Sequence, residues 1–436
     1  MNLLLLTFLL HPLWWFLGCD QLVMMFVPGL ICFYLLLSKQ ITIKVVSLRF
    51  ALCGILVVTL GSGLVTLFEA SPIFYGSLFI YKTICLFNGF ATFLIVSNMI
   101  KTPDDLNKTL LSIIFTLFFS ALAVGIGLPL YVKGFTGFDT PIGMILPEKL
   151  KSFGTTAPWL HKWLIREAPL FQTTVLRSKG LFLYSNLFSF SIETVIPLTL
   201  LVIFSKKRKW LYWVVLLSLV ACFFMAQSRA GTLCLVAGLI VIWFLWSKRK
   251  ALIAFLLTMI FVILFIAEYT GYDLWFTPQS IGRHGWEAIT GMRSDATEGR
   301  YLIYNETLKY VAEKPFTGWG TLRRYPGKPE WPYLGSHSFY LSVLMRMGVL
   351  GVLTYLLFFS LLFKNALNIA AIEKSFGIFK MRTISVCLAG VLTIHYLHFI
   401  VLNIQADLMS MNLMFAVWGI IPAVLKTNYE VSKNVN

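Results

Sequence analysis

The sequence predicts an all-α polytopic membrane protein with about twelve transmembrane helices and two long external loops, the second of them partly helical. Of the 436 residues, 58% are hydrophobic and only 13% are charged, and the mean hydropathy is +0.80. Soluble domains carry about 45–50% apolar and about 25% charged residues. The chain therefore has too few charges to cover a water-facing surface, and most of its perimeter must face lipid.

The apolar runs give the number of spans. A helix that crosses a bilayer needs about 20 predominantly apolar residues, with a range of about 17–25. The first two runs are short, and together they can also form one hairpin that dips into the membrane. The candidate spans are residues 3–17, 21–37, 45–68, 74–97, 109–131, 181–204, 210–227, 231–246, 251–268, 338–362, 383–403 and 409–425.

The net charge of +17 predicts the orientation of these spans. The most basic short connections are residues 205–209, residues 247–250 and the stretch that holds Lys364, Lys374 and Arg382. Alternating spans put all three on one side of the membrane, together with both termini. Because cytoplasmic loops carry an excess of Lys and Arg, this side is predicted to be cytoplasmic.

Both long loops then lie outside. Loops beyond about 15 residues without secondary structure of their own are uncommon and usually functional. The loops divide the chain into five predicted parts. These are the N-terminal transmembrane helices 1–131, an external loop 132–180, the transmembrane helices 181–268, an external loop carrying site residues at 269–337, and the C-terminal transmembrane helices 338–436.

Four basic residues are expected at the external membrane boundary. Arg177 is predicted to open the sixth span, and Arg229 lies in a tight turn between two apolar spans. Arg300 is predicted to start an amphipathic helix, and His337 directly precedes the tenth span. Ionisable side chains at membrane depth are costly and are usually paired or functional. Because all four lie at the same boundary, they can converge on one site.

Three guanidiniums and an imidazole at that depth indicate an anionic lipid substrate. Arginine binds phosphate oxygens through two parallel hydrogen bonds, and this favours a lipid phosphate or pyrophosphate. Histidine can take a proton from a sugar hydroxyl near neutral pH. The alternative for each arginine is a side chain that only reaches to the lipid headgroups, and for the histidine a hydrogen-bonded boundary position.

Other ionisable residues lie within apolar runs. Glu193 is either a counter-charge to an arginine or a cavity residue. His395 and His398 are three positions apart and could suggest a metal pair, but no carboxylate has a helpful spacing, and this favours a core or cavity role. The sequence contains no nucleotide-binding, HExxH or Cys-x-x-Cys motif, so we expect neither a cofactor, a metal site nor an ATP-driven pump.

Four motifs follow one another along residues 177–351. The first is Arg-x-x-Gly-(x)5-Asn and the second is Ser-Arg-Ala. The third is Gly-Arg-x-x-x-Tyr leading to Pro-x-x-Gly-x-Gly, and the fourth is His-Ser-x-x-Leu-(x)6-Gly-x-x-Gly. Their residues are Arg177, Gly180 and Asn186; Ser228, Arg229 and Ala230; Gly299, Arg300, Tyr304, Pro315, Gly318 and Gly320; and His337, Ser338, Leu341, Gly348 and Gly351. In this order the motifs resemble those of the O-antigen ligase and polymerase superfamily of bacterial surface-polysaccharide assembly.

The resemblance implies a metal-independent, inverting glycosyltransferase of the cytoplasmic (inner) membrane, with an active site that faces the exterior or periplasm. Its donor would be a glycan on undecaprenyl pyrophosphate. By this likeness, Arg177, Arg229 and Arg300 bind the pyrophosphate, and His337 is the base or orienter for the acceptor hydroxyl. The family often has Asn after the histidine where this chain has Ser338, so the acceptor-side contacts stay open. The candidates for acceptor or supporting contacts are Ser338, Asn186 and Tyr304.

The acceptor distinguishes the alternatives that remain. A polymerase extends a second lipid-linked repeat, whereas a ligase transfers the chain to lipid A-core of lipopolysaccharide. The stretch 335–341 resembles polymerases more, and this favours a polymerase over a ligase. The implied partners are the lipid-linked donor, an acceptor glycolipid and a candidate chain-length regulator, with no nucleic acid.

A polysaccharide-lipid transporter or flippase is the alternative from a different class. Twelve spans with both termini inside also fit a transporter. However, transporters usually have related halves and key charges near the midplane. The halves of this chain differ in loop size and in motif content, and its unusual charges line the outer boundary.

Overall fold

The computed structural model of the chain describes residues 2–41, 46–67, 72–135, 137–146, 161–170, 173–205, 209–226, 228–246, 294–327, 333–335, 338–372, 375–400 and 407–433. Helices dominate these residues, so the prediction of an all-α polytopic membrane protein is confirmed. Within the described ranges, seven helices are long and apolar enough to cross a membrane, and two shorter apolar helices accompany them. The ninth candidate span, 251–268, lies outside the described residues, and the count of twelve stays a prediction.

The N-terminal part contains six helices. The first candidate span, 3–17, is broken after Leu9, directly before a short helix that has Pro12 in its first turn. Proline suits the first turn of a helix but not its interior, which explains the position of the break. The helices are α1 (Asn2–Leu9), α2 (His11–Leu17), α3 (Asp20–Leu37), α4 (Val46–Leu67), α5 (Pro72–Met99) and α6 (Pro103–Val132).

The first external loop contains short β-strands that the sequence analysis did not predict. Strands β1 (Phe138–Asp139) and β2 (His161–Lys162) pair antiparallel, and helix α7 (Pro141–Ile145) follows β1. Strands β3 (Ile165–Leu170) and β4 (Thr173–Ser178) form an antiparallel hairpin. Arg177 therefore lies on a strand and does not open the sixth span, which is a correction of the prediction.

The rest of the chain returns to helices. Helix α8 begins at Ser185, and helix α11 in the second external loop begins at Ser294, before the predicted start at Arg300. The elements are α8 (Ser185–Ser205), α9 (Trp210–Ala226), α10 (Arg229–Trp246), α11 (Ser294–Glu313), α12 (Phe339–Ile369), the strand pair β5 (Ser375–Phe376) and β6 (Phe379–Lys380), α13 (Met381–His398) and α14 (Leu408–Lys433).

Helices α8 and α14 form the centre of the bundle. In their apolar windows, 89% and 94% of the residues are buried, compared with 33% in α3. Helix α14 packs along α5, and α10 packs along α13. The central helices therefore face protein on nearly all sides, and they can hold the polar side chains that lipid-facing helices exclude.

Helix α12 is interrupted at Gly348, whose φ of 65° and ψ of −165° lie outside the helical range. The segment Pro315–Gly320 packs against this interruption. The N–H groups of Trp319 and Gly320 donate to the carbonyls of Met345 and Arg346 at 2.8 and 2.9 Å, and Val349 N–H donates to Pro315 O at 2.8 Å. The segment thereby pairs with backbone groups on both sides of the break.

The glycines of two motifs make this contact possible. A Cβ at Gly318 would collide with the backbone of Arg346, and one at Gly348 would collide with the backbone of Phe316. Both glycines have positive φ, which other residues rarely adopt. The third and fourth motifs therefore share one structural feature, the docking of the segment Pro315–Gly320 onto a broken helix.

Candidate functional site

Arg177 joins the first external loop to the turn between α9 and α10. Its Nη2 donates to Asn186 Oδ1 at 2.9 Å, and its Nε and Nη2 both donate to Ala226 O at 3.2 Å. Ala226 is the last residue of α9, where a cation is favoured by the helix dipole and by the uncapped carbonyls. Arg177 and Asn186, which belong to the same motif, are therefore brought together beside the second motif.

The second motif forms the start of α10. The buried Ser228 accepts a hydrogen bond from Gly231 N–H through its Oγ at 3.2 Å, and its carbonyl accepts one from Thr232 N–H at 2.9 Å. Serine is a preferred residue at this position because its hydroxyl satisfies an otherwise unpaired N–H of the first turn. Arg229 is the first residue of α10, but its side chain lies outside the described residues.

Glu193 lies directly beneath this turn. Ser189 Oγ donates to Glu193 Oε1 at 2.6 Å, and a Cβ at Gly231 would collide with both of these oxygens. Glycine is therefore needed at position 231 to let the first turn of α10 approach the carboxylate. A carboxylate at this end of a helix is favoured by the helix dipole.

The other oxygen of Glu193 contacts a histidine from the C-terminal part of the chain. His398 Nδ1 lies 3.0 Å from Glu193 Oε2, and the two side chains are 1% and 0% exposed. The sequence allows Glu193 to be a counter-charge to an arginine or a cavity residue, and in the described part of the chain its hydrogen bonds go to Ser189 and His398.

His395 has separate partners. Trp418 Nε1 donates to His395 Nδ1 at 3.0 Å, so the ring proton lies on Nε2, which donates to Thr194 Oγ1 at 2.8 Å. Thr194 in turn donates to Phe190 O. This is a core arrangement, and it agrees with the interpretation favoured by the sequence. Among the described residues, no group of three or more candidate ligands could hold a metal ion.

The fourth motif meets the end of α13. Ser338 caps α12, since its Oγ accepts from Leu341 N–H at 3.3 Å. The same hydroxyl donates to Phe399 O at 3.3 Å, and Phe339 N–H donates to that carbonyl at 2.9 Å. Phe399 directly follows His398. His337, the predicted base, lies outside the described residues, next to this contact in the sequence.

Helix α11 anchors the chain before His337. The buried Thr307 accepts a hydrogen bond from Gly335 N–H at 2.9 Å. Arg300 lies on the same helix, but only its backbone is described, and Tyr304 is partly buried one turn before Thr307. The third motif is therefore tied to the fourth through the α11 helix.

The structure thus connects the four motif regions, while the side chains of Arg229, Arg300 and His337 lie outside the described residues. One sequence signal points to the residues that make the connection. Glu193 and His398 both stood out as ionisable residues in apolar runs, but they were not paired with each other.

The comparison with known families agrees with the motif analysis. Residues 213–356 match the family model described as O-antigen ligase. This match confirms the resemblance to the O-antigen ligase and polymerase superfamily and supports a membrane enzyme of surface-polysaccharide assembly. No curated protein matches the chain.

Proposed function

We propose that this protein transfers a glycan from undecaprenyl pyrophosphate to a sugar hydroxyl of an acceptor, on the outer face of the cytoplasmic membrane. The observation that carries the proposal is the family match over the region that contains Arg229, Arg300 and His337. The hydrogen bonds of Arg177 support it, because they hold a further motif arginine at the turn where α10 begins.

The chemistry assigns separate tasks to the basic residues. The acceptor oxygen attacks the anomeric carbon of the donor, the bond from that carbon to the pyrophosphate oxygen breaks, and the configuration inverts. His337 takes the proton of the acceptor hydroxyl. Arg177, Arg229 and Arg300 hold the pyrophosphate and stabilise the negative charge that it gains as it leaves. The arginines thus supply the positive charge, and no metal is needed.

A polymerase is favoured over a ligase. The stretch from Gly335 to Leu341, which resembles polymerases, is attached to α11 at one end and to α13 at the other. A segment held at both ends beside the predicted base is suited to orient an acceptor sugar. The ligase remains the alternative, and the description of the matching family favours it.

A deletion strain distinguishes the two activities. Loss of a polymerase leaves surface glycan of single repeats, whereas loss of a ligase leaves long polymer on the lipid carrier. The purified full-length protein, given lipid-linked glycan extracted from that strain, is expected to lengthen it or to transfer it to lipid A-core. A transporter or flippase would form no new glycosidic bond in detergent solution, and this result would overturn the proposal.

Arg229→Lys tests the role of the arginines. Lysine keeps the charge but loses the planar, bidentate donor geometry, so we expect a large loss of transfer. Arg382→Lys is the matched control, because Arg382 Nη2 donates to the carbonyls of Leu245 and Trp246 at the opposite end of α10. Equal activity of the two variants would show that Arg229 does not bind the pyrophosphate.

A further inference from the structure

Glu193 and His398 form a buried pair between two motif regions: Glu193 lies against Gly231, and His398 directly precedes Phe399, whose carbonyl binds Ser338. We propose that this pair is a positioning device, which sets the distance between the Arg229 turn that holds the donor and the His337 segment that activates the acceptor. The inference rests on the proposed function for the meaning of those two segments, but the contacts that carry it are independent of that function.

The first contact is with the donor side. Glu193 Oε1 faces Gly231 in the first turn of α10, and the absence of a side chain there lets the backbone approach the carboxylate. Ser189 holds the same oxygen from within α8. Any movement of Glu193 therefore moves the turn that begins with Ser228 and Arg229, or leaves the carboxylate without its close contact.

The second contact is with the acceptor side. His398 is the last residue of α13, and the next carbonyl, that of Phe399, accepts hydrogen bonds from Phe339 N–H and Ser338 Oγ. The residue that directly follows His398 thus accepts hydrogen bonds from the first residues of α12. Gly231 packs against Glu193, a hydrogen bond joins Glu193 to His398, and the backbone leads from His398 to Phe399, whose carbonyl accepts from Ser338 Oγ. Contiguous networks of this kind can carry coupling between two sites.

Stability alone does not explain a buried ionisable pair. Replacing such pairs with well-packed apolar residues is often neutral or stabilising, so the pair is weak evidence for a contribution to stability. In a transferase, however, small displacements of the reacting groups are expensive, and a shift of about 1 Å can cost about 10²-fold in rate. A rigid link between the Arg229 turn and the His337 segment would prevent such displacements.

His395 provides a matched control within the same helix. It is buried like His398, one turn earlier, and its hydrogen bonds go to Trp418 and Thr194. Full-length His398→Gln, Glu193→Gln and His395→Gln proteins are compared in three measurements. These are kcat with lipid-linked glycan, the Kd of undecaprenyl pyrophosphate, and deuterium uptake of the peptide that covers Ser338–Ser342.

We expect His398→Gln to lower kcat by about 10²-fold with little change in the Kd. Deuterium uptake at the start of α12 should rise, because the hydrogen bonds to Phe399 O are loosened. Glu193→Gln keeps the size and one acceptor oxygen, and it should show a smaller change in the same direction. His395→Gln should leave kcat and this uptake close to those of the wild-type protein.

Equal losses of kcat and stability in His398→Gln and His395→Gln would overturn the inference, since packing would then explain both. Reduced kcat with unchanged uptake at the start of α12 would also overturn it. Should His398→Gln fail to fold, Glu193→Gln applies the same criteria. If the wild-type protein transfers no glycan but uptake still rises in the pair variants alone, the link between the segments stands and only the proposed function fails.

Discussion

In the described part of this protein, two buried pairs of ionisable side chains have different surroundings. Lys162 Nζ lies 2.8 Å from Asp20 Oδ1, with both side chains 2% exposed, and it joins the first external loop to the start of α3. The lysine also lies over the ring of Trp15. Glu193 and His398 instead join membrane helices that lead directly to motif residues. The Lys162–Asp20 pair holds a loop against α3, whereas the Glu193–His398 pair lies between two parts of the candidate site.

The network around the first pair runs from the start of α3 to the start of α14. Gln21 Nε2 donates to both Asp20 and Asp407, and Asp407 accepts from the N–H and the hydroxyl of Ser410 at the start of α14. Burial raises the pKa of the Asp407 carboxyl, although the hydrogen bonds from Ser410 oppose this shift. The comparison teaches that burial and charge alone do not identify a functional pair, whereas the segments that the pair connects do.

His337→Ala is expected to have the largest effect on the candidate site. Removing a general base typically costs about 10²–10⁴-fold in rate, so transfer should be lost while the amount of protein in the membrane stays unchanged. The measurement is glycan transfer by the purified variant beside its yield from membranes. Normal polymer made by this variant would remove His337 from the catalytic role.

Among changes to the Lys162–Asp20 pair, Lys162→Met is expected to have the largest effect on stability. It leaves Asp20 buried without its cation, and breaking a buried pair in this way costs about 3–5 kcal/mol in the free energy of unfolding. Adding Asp20→Leu should restore most of this loss. The unfolding transition in detergent is the measurement, and the rate per folded molecule should not change. A lower rate with intact stability would place this pair in the function as well.

Gly231→Ala tests the close approach of α10 to Glu193. The added methyl group overlaps the carboxylate, and overpacking of this kind costs about 1–3 kcal/mol. Gly125→Ala in α6 is the control, because no atom lies within 4 Å of the added Cβ and the helix should gain about 0.5–1 kcal/mol. Equal unfolding transitions of the two variants would contradict the contact.

Ser338→Ala is expected to have the smallest effect. Loss of a helix cap costs about 0.5–2 kcal/mol, and the matched variant Thr102→Ala removes the cap of α6. The two variants should lose similar stability, but only Ser338→Ala should lower transfer, because its hydroxyl also holds Phe399 O. A similar rate in both would limit Ser338 to capping.

The class of the fold could be predicted because it depends on composition. Long apolar runs predict helices where the chain is surrounded by lipid. Helices α5, α9 and α12 begin within a few residues of the predicted starts of their spans. The β3–β4 hairpin could not be predicted in the same way. Pro169 and the charges of Arg166 and Arg177 interrupt the pattern, and neither segment alternates apolar and polar residues in the sequence.

The candidate site was predictable only in part. The motifs predicted its basic residues, because arginines at the ends of apolar spans are unusual in a chain with so few charges. The pairing of Glu193 with His398 joins residues 205 positions apart. No local pattern contains such a contact, because it depends on how α8 and α13 pack. Gly348 was part of a motif, but its role in breaking α12 became clear only from the backbone that docks there.

The docking of Pro315–Gly320 onto the break at Gly348 has a consequence for exchanging parts between related proteins. The external segment supplies backbone hydrogen bonds that an unbroken helix would supply to itself, so the two stretches constitute a single folding unit drawn from separate places in the chain. A chimera that replaces the second external loop alone would leave carbonyls of α12 without partners in an apolar surrounding. Transplanting the loop together with residues 345–349 is the smallest exchange that keeps this unit whole.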